Sequence, residues 1–116
     1  MSKFDTDPQT LLPLPPVTFH ILAALAAGDR HGYAIIQDVA ARTDGELKIQ
    51  AGTLYRSVQR MLEQGLVAES PADEDDERRR VYHITPFGRA VAQAEARRLA
   101  QMVKLARAAG FVPGGA

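Results

Sequence analysis

The chain has no cysteine, no tryptophan and no net charge, and aromatic residues make up only 6% of it. Each shortage removes a class of protein. Without cysteine there is neither a disulfide framework nor a thiolate zinc site, and the composition fits a reducing cytoplasm. The longest apolar run, Val17 to Ala27, falls short of the ~20 residues a membrane-spanning helix needs. Nor does it read as a secretory leader, because Asp5 and Asp7 spoil a basic leading region and Pro15 and Pro16 stand just before the run. It reads as a first core helix, with no membrane role.

Catalysis has nothing to hold. His20, His31 and His83 are far apart on different elements, with no paired acid at metal-ligand spacing. There is no Gly-rich phosphate loop and no nucleophile elbow, and Asp75-Asp76-Glu77 is a charge run rather than an acid/base pair. The reading is no enzyme, no metal and no cofactor.

What is there is patterned. Length (116 residues) and a hydrophobic content of 46% fit one domain, or one domain with an appended helix. Residues 1–13 read as a flexible, polar N-terminal arm. Pro13, Pro15 and Pro16 then hold the chain extended, and Pro16 suits the first turn of a helix. Val17, Ile21, Leu22 and Leu25 form one helical stripe, ending at Gly28. Gly28 to Gly32 reads as a connector. A second helix is predicted from about Tyr33 to Arg42, with Ile35, Ile36 and Val39 inward. Leu47 and Ile49 alternate with Lys48, as in a short extended piece.

The third helix carries the strongest signal. Over Ala51 to Gln64, the residues Leu54, Val58, Met61 and Leu62 share one face. At 100° per residue, Arg56 and Arg60 fall roughly opposite, with Thr53 beside them. Gly65 ends this helix as a left-handed cap would. Two short β-like runs follow, Leu66 to Ala68 and Arg80 to Ile84, separated by charged residues suited to a wing tip. Thr85-Pro86 supplies an N-cap and a proline at the first helical position. A last helix is predicted to about Ala109. The expected fold class is α+β, a winged helix-turn-helix over 14–85 with a long C-terminal dimerisation helix over 86–110 and a disordered tail at 111–116.

In such a fold the third helix enters the major groove with its N-terminal part against base edges, and arginine can bond guanine bidentately. Net charge does not suggest DNA, but its distribution helps. Residues 1–50 carry four Lys/Arg against six Asp/Glu, and 51–116 carry ten against eight. Candidate DNA contacts are Tyr33, Lys48, Gln50, Thr53, Tyr55, Arg56, Arg60, Arg78, Arg79 and Arg80. The wing admits two readings. Arg78 and Arg79 suit phosphate contacts, yet the acidic run Asp73 to Glu77 just before them would repel the same backbone, so acid and base could instead neutralise each other in solvent. Tyr55 likewise lies at the edge of the apolar face and could be a half-buried core residue.

The last helix points to a partner. Ala92, Leu99 and Ala106 recur every seven residues, with Met102 at an intervening position and Val103 flanking. Arg89, Arg97, Arg98, Lys104 and Arg107, with the single acid Glu95, form the other face. An apolar seam on a helix too long for its own domain to cover predicts a second copy, most simply a twofold dimer; the alternative is that the seam packs back across the N-terminal helix of its own chain. The interface candidates are Ile21, Leu25, Ala92, Leu99, Met102, Val103 and Ala106.

Three motifs, HGYAIIQDVAART, AGTLYRSVQRMLEQGLV and DERRRVYHITPFGRA, closely resemble those of the PadR family of bacterial transcriptional regulators over Leu14 to about Gly110. The resemblance implies a winged-helix homodimer that represses transcription from double-stranded DNA with an inverted-repeat operator. It resembles the smaller subtype with a single C-terminal helix. It also implies that Tyr33, the start of the third helix (Thr53, Tyr55, Arg56) and the basic wing (Arg78 to Arg80) approach DNA, and that the terminal helices build the dimer. Two departures stand out. Where the family often has Ser-Pro before Gly-Thr-Leu-Tyr, this chain has Gln50-Ala51, which removes a cap worth about 1 kcal/mol. And the tryptophans with which some members stack flat ligands are absent, so that mode is not carried over and no effector is indicated.

Two other classes stay open. Zero net charge and the acidic run would suit a winged-helix protein-interaction module that does not bind DNA. A ligand-sensing protein using the dimer interface would need a cavity that an alanine-rich helix does not obviously provide.

Overall fold

The computed structural model describes residues 7–71 and 80–112. Helix α1 spans Pro16–Ala26, with proline in its first turn as expected, and buries Thr18, Ile21, Leu22, Ala24 and Leu25. Ile21 and Leu25 are 0% and 1% exposed and sit in the chain's own core. They therefore have no surface to offer a second copy, which corrects their assignment to a dimer interface. One helical stripe cannot tell which surface it will meet, and here α1 is enclosed by the other helices and the sheet.

Helix α2 spans Gly32–Arg42, burying Ile35 and Val39, and α3 spans Ala51–Glu63, burying Leu54, Val58 and Met61. Among the described residues no side chain caps α3. Its first turn closes through the Leu54 N–H on the Gln50 carbonyl (2.9 Å). Burial of its apolar stripe outweighs the missing cap, since tertiary packing supplies most helical stability in proteins. The segment before it has no regular structure, but Ile49 is buried and Leu47 packs on the core.

Among the described residues three strands form an antiparallel sheet in the order β1–β3–β2. β2 (Val67–Pro71) and β3 (Arg80–Ile84) pair with Val67 opposite Ile84 and Glu69 opposite Tyr82. β1, only Arg30–His31, pairs with Tyr82 and Val81. The sequence predicts a plain connector there. Two residues carry no period, and the strand exists because β3 offers a second edge. Arg30 then ties the corner together: its Nε donates to the Ala24 carbonyl (3.0 Å) and its guanidinium pairs with Asp38 on α2 (3.6 Å).

Helix α4 spans Pro86–Ala108, which at 1.5 Å per residue is roughly 35 Å long. Its first half packs on α1. Of the flexible arm expected over 1–13, residues 1–6 lie outside the described residues, while Pro8–Leu11 pack on α4. Pro8–Leu11 form a 3-10 turn capped by Asp7, and Leu11 and Leu12 lie against the core. A buried carboxylate anchors this segment. Glu95, 2% exposed, accepts from the Leu14 N–H (3.1 Å) and from Arg98 Nε (2.6 Å) and Nη2 (3.1 Å). Glu95 thus lies inside, not on the solvated basic face where helical spacing places it. No helix among the described residues is long and apolar enough to cross a membrane.

Candidate nucleic-acid interface

Burial of Leu54, Val58 and Met61 turns the other side of α3 outward. Gly52, Tyr55, Arg56, Gln59, Arg60 and Glu63 are all exposed, a spacing of three and four residues that makes one continuous stripe. Among the described residues Arg56 makes only a long contact to Thr53 Oγ1 (3.4 Å), and Thr53 itself is half-buried. Among the described residues the other ion-paired arginines differ: Arg30 and Arg42 meet Asp38, Arg80 meets Glu69 and Arg98 meets Glu95. Neither Arg56 nor Arg60 has an acidic partner there. Two cations, with no acid paired to them among the described residues, stand on the outer face of the helix that follows a helix-turn-helix.

Tyr33 begins α2 with 68% of its surface exposed. Its neighbour Gly32 is buried beneath the Tyr55 ring, and a Cβ there would stand 2.6 Å from the Tyr55 hydroxyl oxygen. That close approach holds the start of α2 against the first half of α3 and brings Tyr33 and Tyr55 to one end of the molecule. Tyr55 remains 47% exposed, so its ring packs while its edge stays accessible. Sequence spacing gives no hint of this contact; the glycine between His31 and Tyr33 is the one signal that could have. Lys48 and Gln50, both exposed, lead into α3.

In the described part of the wing, Arg80 is less available to an anion. Arg80 Nη1 donates to Glu69 Oε1 (3.0 Å) across the hairpin. An exposed pair of this kind contributes little, ~0–1 kcal/mol, but it neutralises the arginine locally. Burial, and after it the negative field of Glu69, pushes the Tyr82 phenol above its ordinary value, so it stays a neutral core group. Arg78, Arg79 and the acidic run Asp73 to Glu77 lie outside the described residues. Of the seam candidates, Ala92 packs against the core, Leu99, Met102 and Val103 are exposed by 38%, 53% and 43%, and Ala106 is half-exposed. Leu105, at 63%, joins them without having been anticipated. No group of three or more potential metal ligands occurs among the described residues.

Residues 21–94 match the profile of the transcriptional regulator PadR-like family. The chain is 31% identical over 88 residues to a transcriptional regulator of Mycobacterium tuberculosis, covering 76% of this chain and 79% of that one. It is 34% identical over 71 residues to an uncharacterized protein of Lysinibacillus sphaericus, covering 60% of this chain and 65% of that protein's length. A transcriptional regulator from Clostridium thermocellum superposes with a TM-score of 0.73 at 29% identity, over 84% of this chain and 90% of that one. The Bacillus subtilis PadR structure in complex with operator DNA shares the fold, with a TM-score of 0.61 at 17% identity, over 75% of this chain and 48% of that one.

Proposed function

The chain belongs to the transcriptional regulator PadR-like family, and from that premise we propose that it is a sequence-specific DNA-binding repressor acting as a homodimer on an operator with inverted symmetry. The observation that carries the reading is the exposed stripe on α3, where Arg56 and Arg60 lack acidic partners among the described residues beside Thr53 and Tyr55. Arginine on that stripe is suited to guanine O6 and N7 in the major groove. Tyr33, Lys48 and Gln50 flank it and suit backbone contacts that set the docking register. Family membership and the fold shared with an operator-bound protein support the same assignment.

The dimer follows from α4. Leu99, Met102, Val103 and Leu105 lie beyond the part of the helix that this chain covers. An open, mostly apolar groove lined by Phe19, Ala23, Ile84, Ala92 and Ala96 runs between α1 and α4. A projecting apolar helix and an apolar groove on one surface are what a self-complementary twofold interface requires. Such a dimer presents two α3 helices about 34 Å apart, one turn of DNA.

Fluorescence anisotropy with DNA from upstream of the protein's own gene, against a scrambled duplex over a range of salt, tests the reading. Preference for the native duplex that survives near-physiological salt is the expected result. Arg56→Ala should then lose about 1–3 kcal/mol of discrimination, roughly tenfold to a hundredfold, and relax the base preference. No binding to either duplex at low salt would replace this reading with a protein-interaction module.

A further inference from the structure

Where α3 and α4 approach one another, the chain is joined more closely than a link between two helices requires. We infer that Thr85 and Gly88 are positioning residues that fix the angle between α3 and α4, and so set the half-site spacing at which the dimer engages DNA. The inference rests on the dimeric DNA-binding function proposed above.

Beyond Glu63 the chain turns through Gln64 and Gly65 into Leu66 and β2, and β3 returns antiparallel with Ile84 opposite Val67. Leu66 and Thr85 therefore meet at one end of the hairpin. The Thr85 N–H donates to the Leu66 carbonyl (3.1 Å). The Thr85 hydroxyl directs its one proton at the Gly65 and Leu66 carbonyl oxygens, 2.6 and 3.1 Å away, and its oxygen accepts from the Gly88 N–H (2.9 Å). One side chain thus ties the turn after α3 to the first turn of α4. Gly88 is buried, and a Cβ on it would overlap the Leu66 carbonyl oxygen and stand 3.1 Å from Ile84 Cγ1. The helix crosses that peptide with room for a hydrogen and no more.

A second directional tie, Leu14 N–H to Glu95, holds α4 to the segment before α1. Among the described residues, though, the bonds at Thr85 are the ones that link α4 to the end of α3. α3 and α4 make no extensive contact of their own, and both pack on α1. That packing is largely apolar and non-directional, whereas hydrogen bonds weaken steeply off axis. α1 keeps the two helices together; the joint orients them. Leverage makes the angle matter. α4 is roughly 35 Å long, so a rotation of about 10° at Thr85 moves its far end by about 6 Å. The exposed seam lies on that far half, while one base pair of spacing is only about 3.4 Å along DNA.

The test compares the unaltered chain with Thr85→Val, which keeps the shape and loses the hydroxyl, and with Thr85→Ser, which restores it. The probes are a duplex selected by the unaltered chain from a random-sequence library, the same duplex with its half-sites moved one base pair closer or further apart, and an isolated half-site. The unaltered chain should prefer the selected spacing by about tenfold, comparable to the cost of one mismatched base pair. Thr85→Val should flatten that preference severalfold while half-site affinity holds, and Thr85→Ser should recover it. Circular dichroism at the assay temperature confirms that each variant is folded. A folded Thr85→Val that keeps the full preference overturns the inference. So does an equal loss on the half-site and on every spacing, which would give the hydroxyl a stabilising role alone. If the unaltered chain selects no paired half-sites, the dimeric reading falls and this inference with it, a result independent of the Thr85 variants.

Discussion

The two halves of α4 have the same helical geometry and a similar supply of alanine and arginine, yet they meet different surroundings. In the first half Val91, Ala94 and Glu95 are 0%, 4% and 2% exposed; in the second, Leu99, Met102, Val103 and Leu105 are exposed by 38% to 63%. The difference is one of reach. α1 has 11 residues against 23 in α4, roughly 16 Å against 35 Å, so the domain runs out before the helix does. One apolar seam therefore meets two fates: it closes this chain's core near Thr85 and stays uncovered further along, where the proposed dimer would bury it.

The same substitution placed in each half separates those fates. Val91→Asp puts an unpaired carboxylate into a fully enclosed site, a cost of several kcal/mol that should abolish the cooperative thermal transition. A variant that still melted near the parent temperature would mean the first half is not core. Met102→Asp should keep the helical circular-dichroism signal and convert the proposed dimer to monomer in analytical ultracentrifugation. Unchanged association would move the interface off the exposed seam.

A smaller effect tests the border between the halves. The Arg98 hydrogen bond, helped by the Leu14 N–H and opposed by desolvation, holds the Glu95 carboxyl below its ordinary 4.5. A carboxyl depressed on folding stabilises the folded chain above that ordinary value, and the contribution is lost as pH falls from about 4.5 through the lowered value. Melting temperature measured against pH should therefore drop less steeply below 4.5 in Glu95→Gln than in the parent. Parallel curves would mean that Glu95 is not held by Arg98 in solution.

Much of the architecture was legible because it is written in neighbouring residues. The stripe Leu54, Val58 and Met61, the proline at the head of α1, and Thr85-Pro86 at the head of α4 all act within one or two turns, and the structure has helices at each of them. β3 occupies the run Arg80–Ile84 that its alternation marked. The outward face of α3 followed from the same helical period. What could not be read were contacts made across the chain: β1 pairing with β3, the Tyr55 ring over Gly32, Arg80 neutralised by Glu69, and the N-terminal turn against α4.

Family membership and the basic stripe opposite the apolar one on the third helix were thus matters of sequence, because residue order and helical period alone settle which side chains share a face. Tertiary structure decided which faces stay exposed. Ile21 and Leu25 belong to the chain's own core, and Glu95 is buried because Leu14, 81 positions away, folds back onto it. Periodicity is a property of the local backbone, while solvent exposure depends on atoms that only the complete fold brings near.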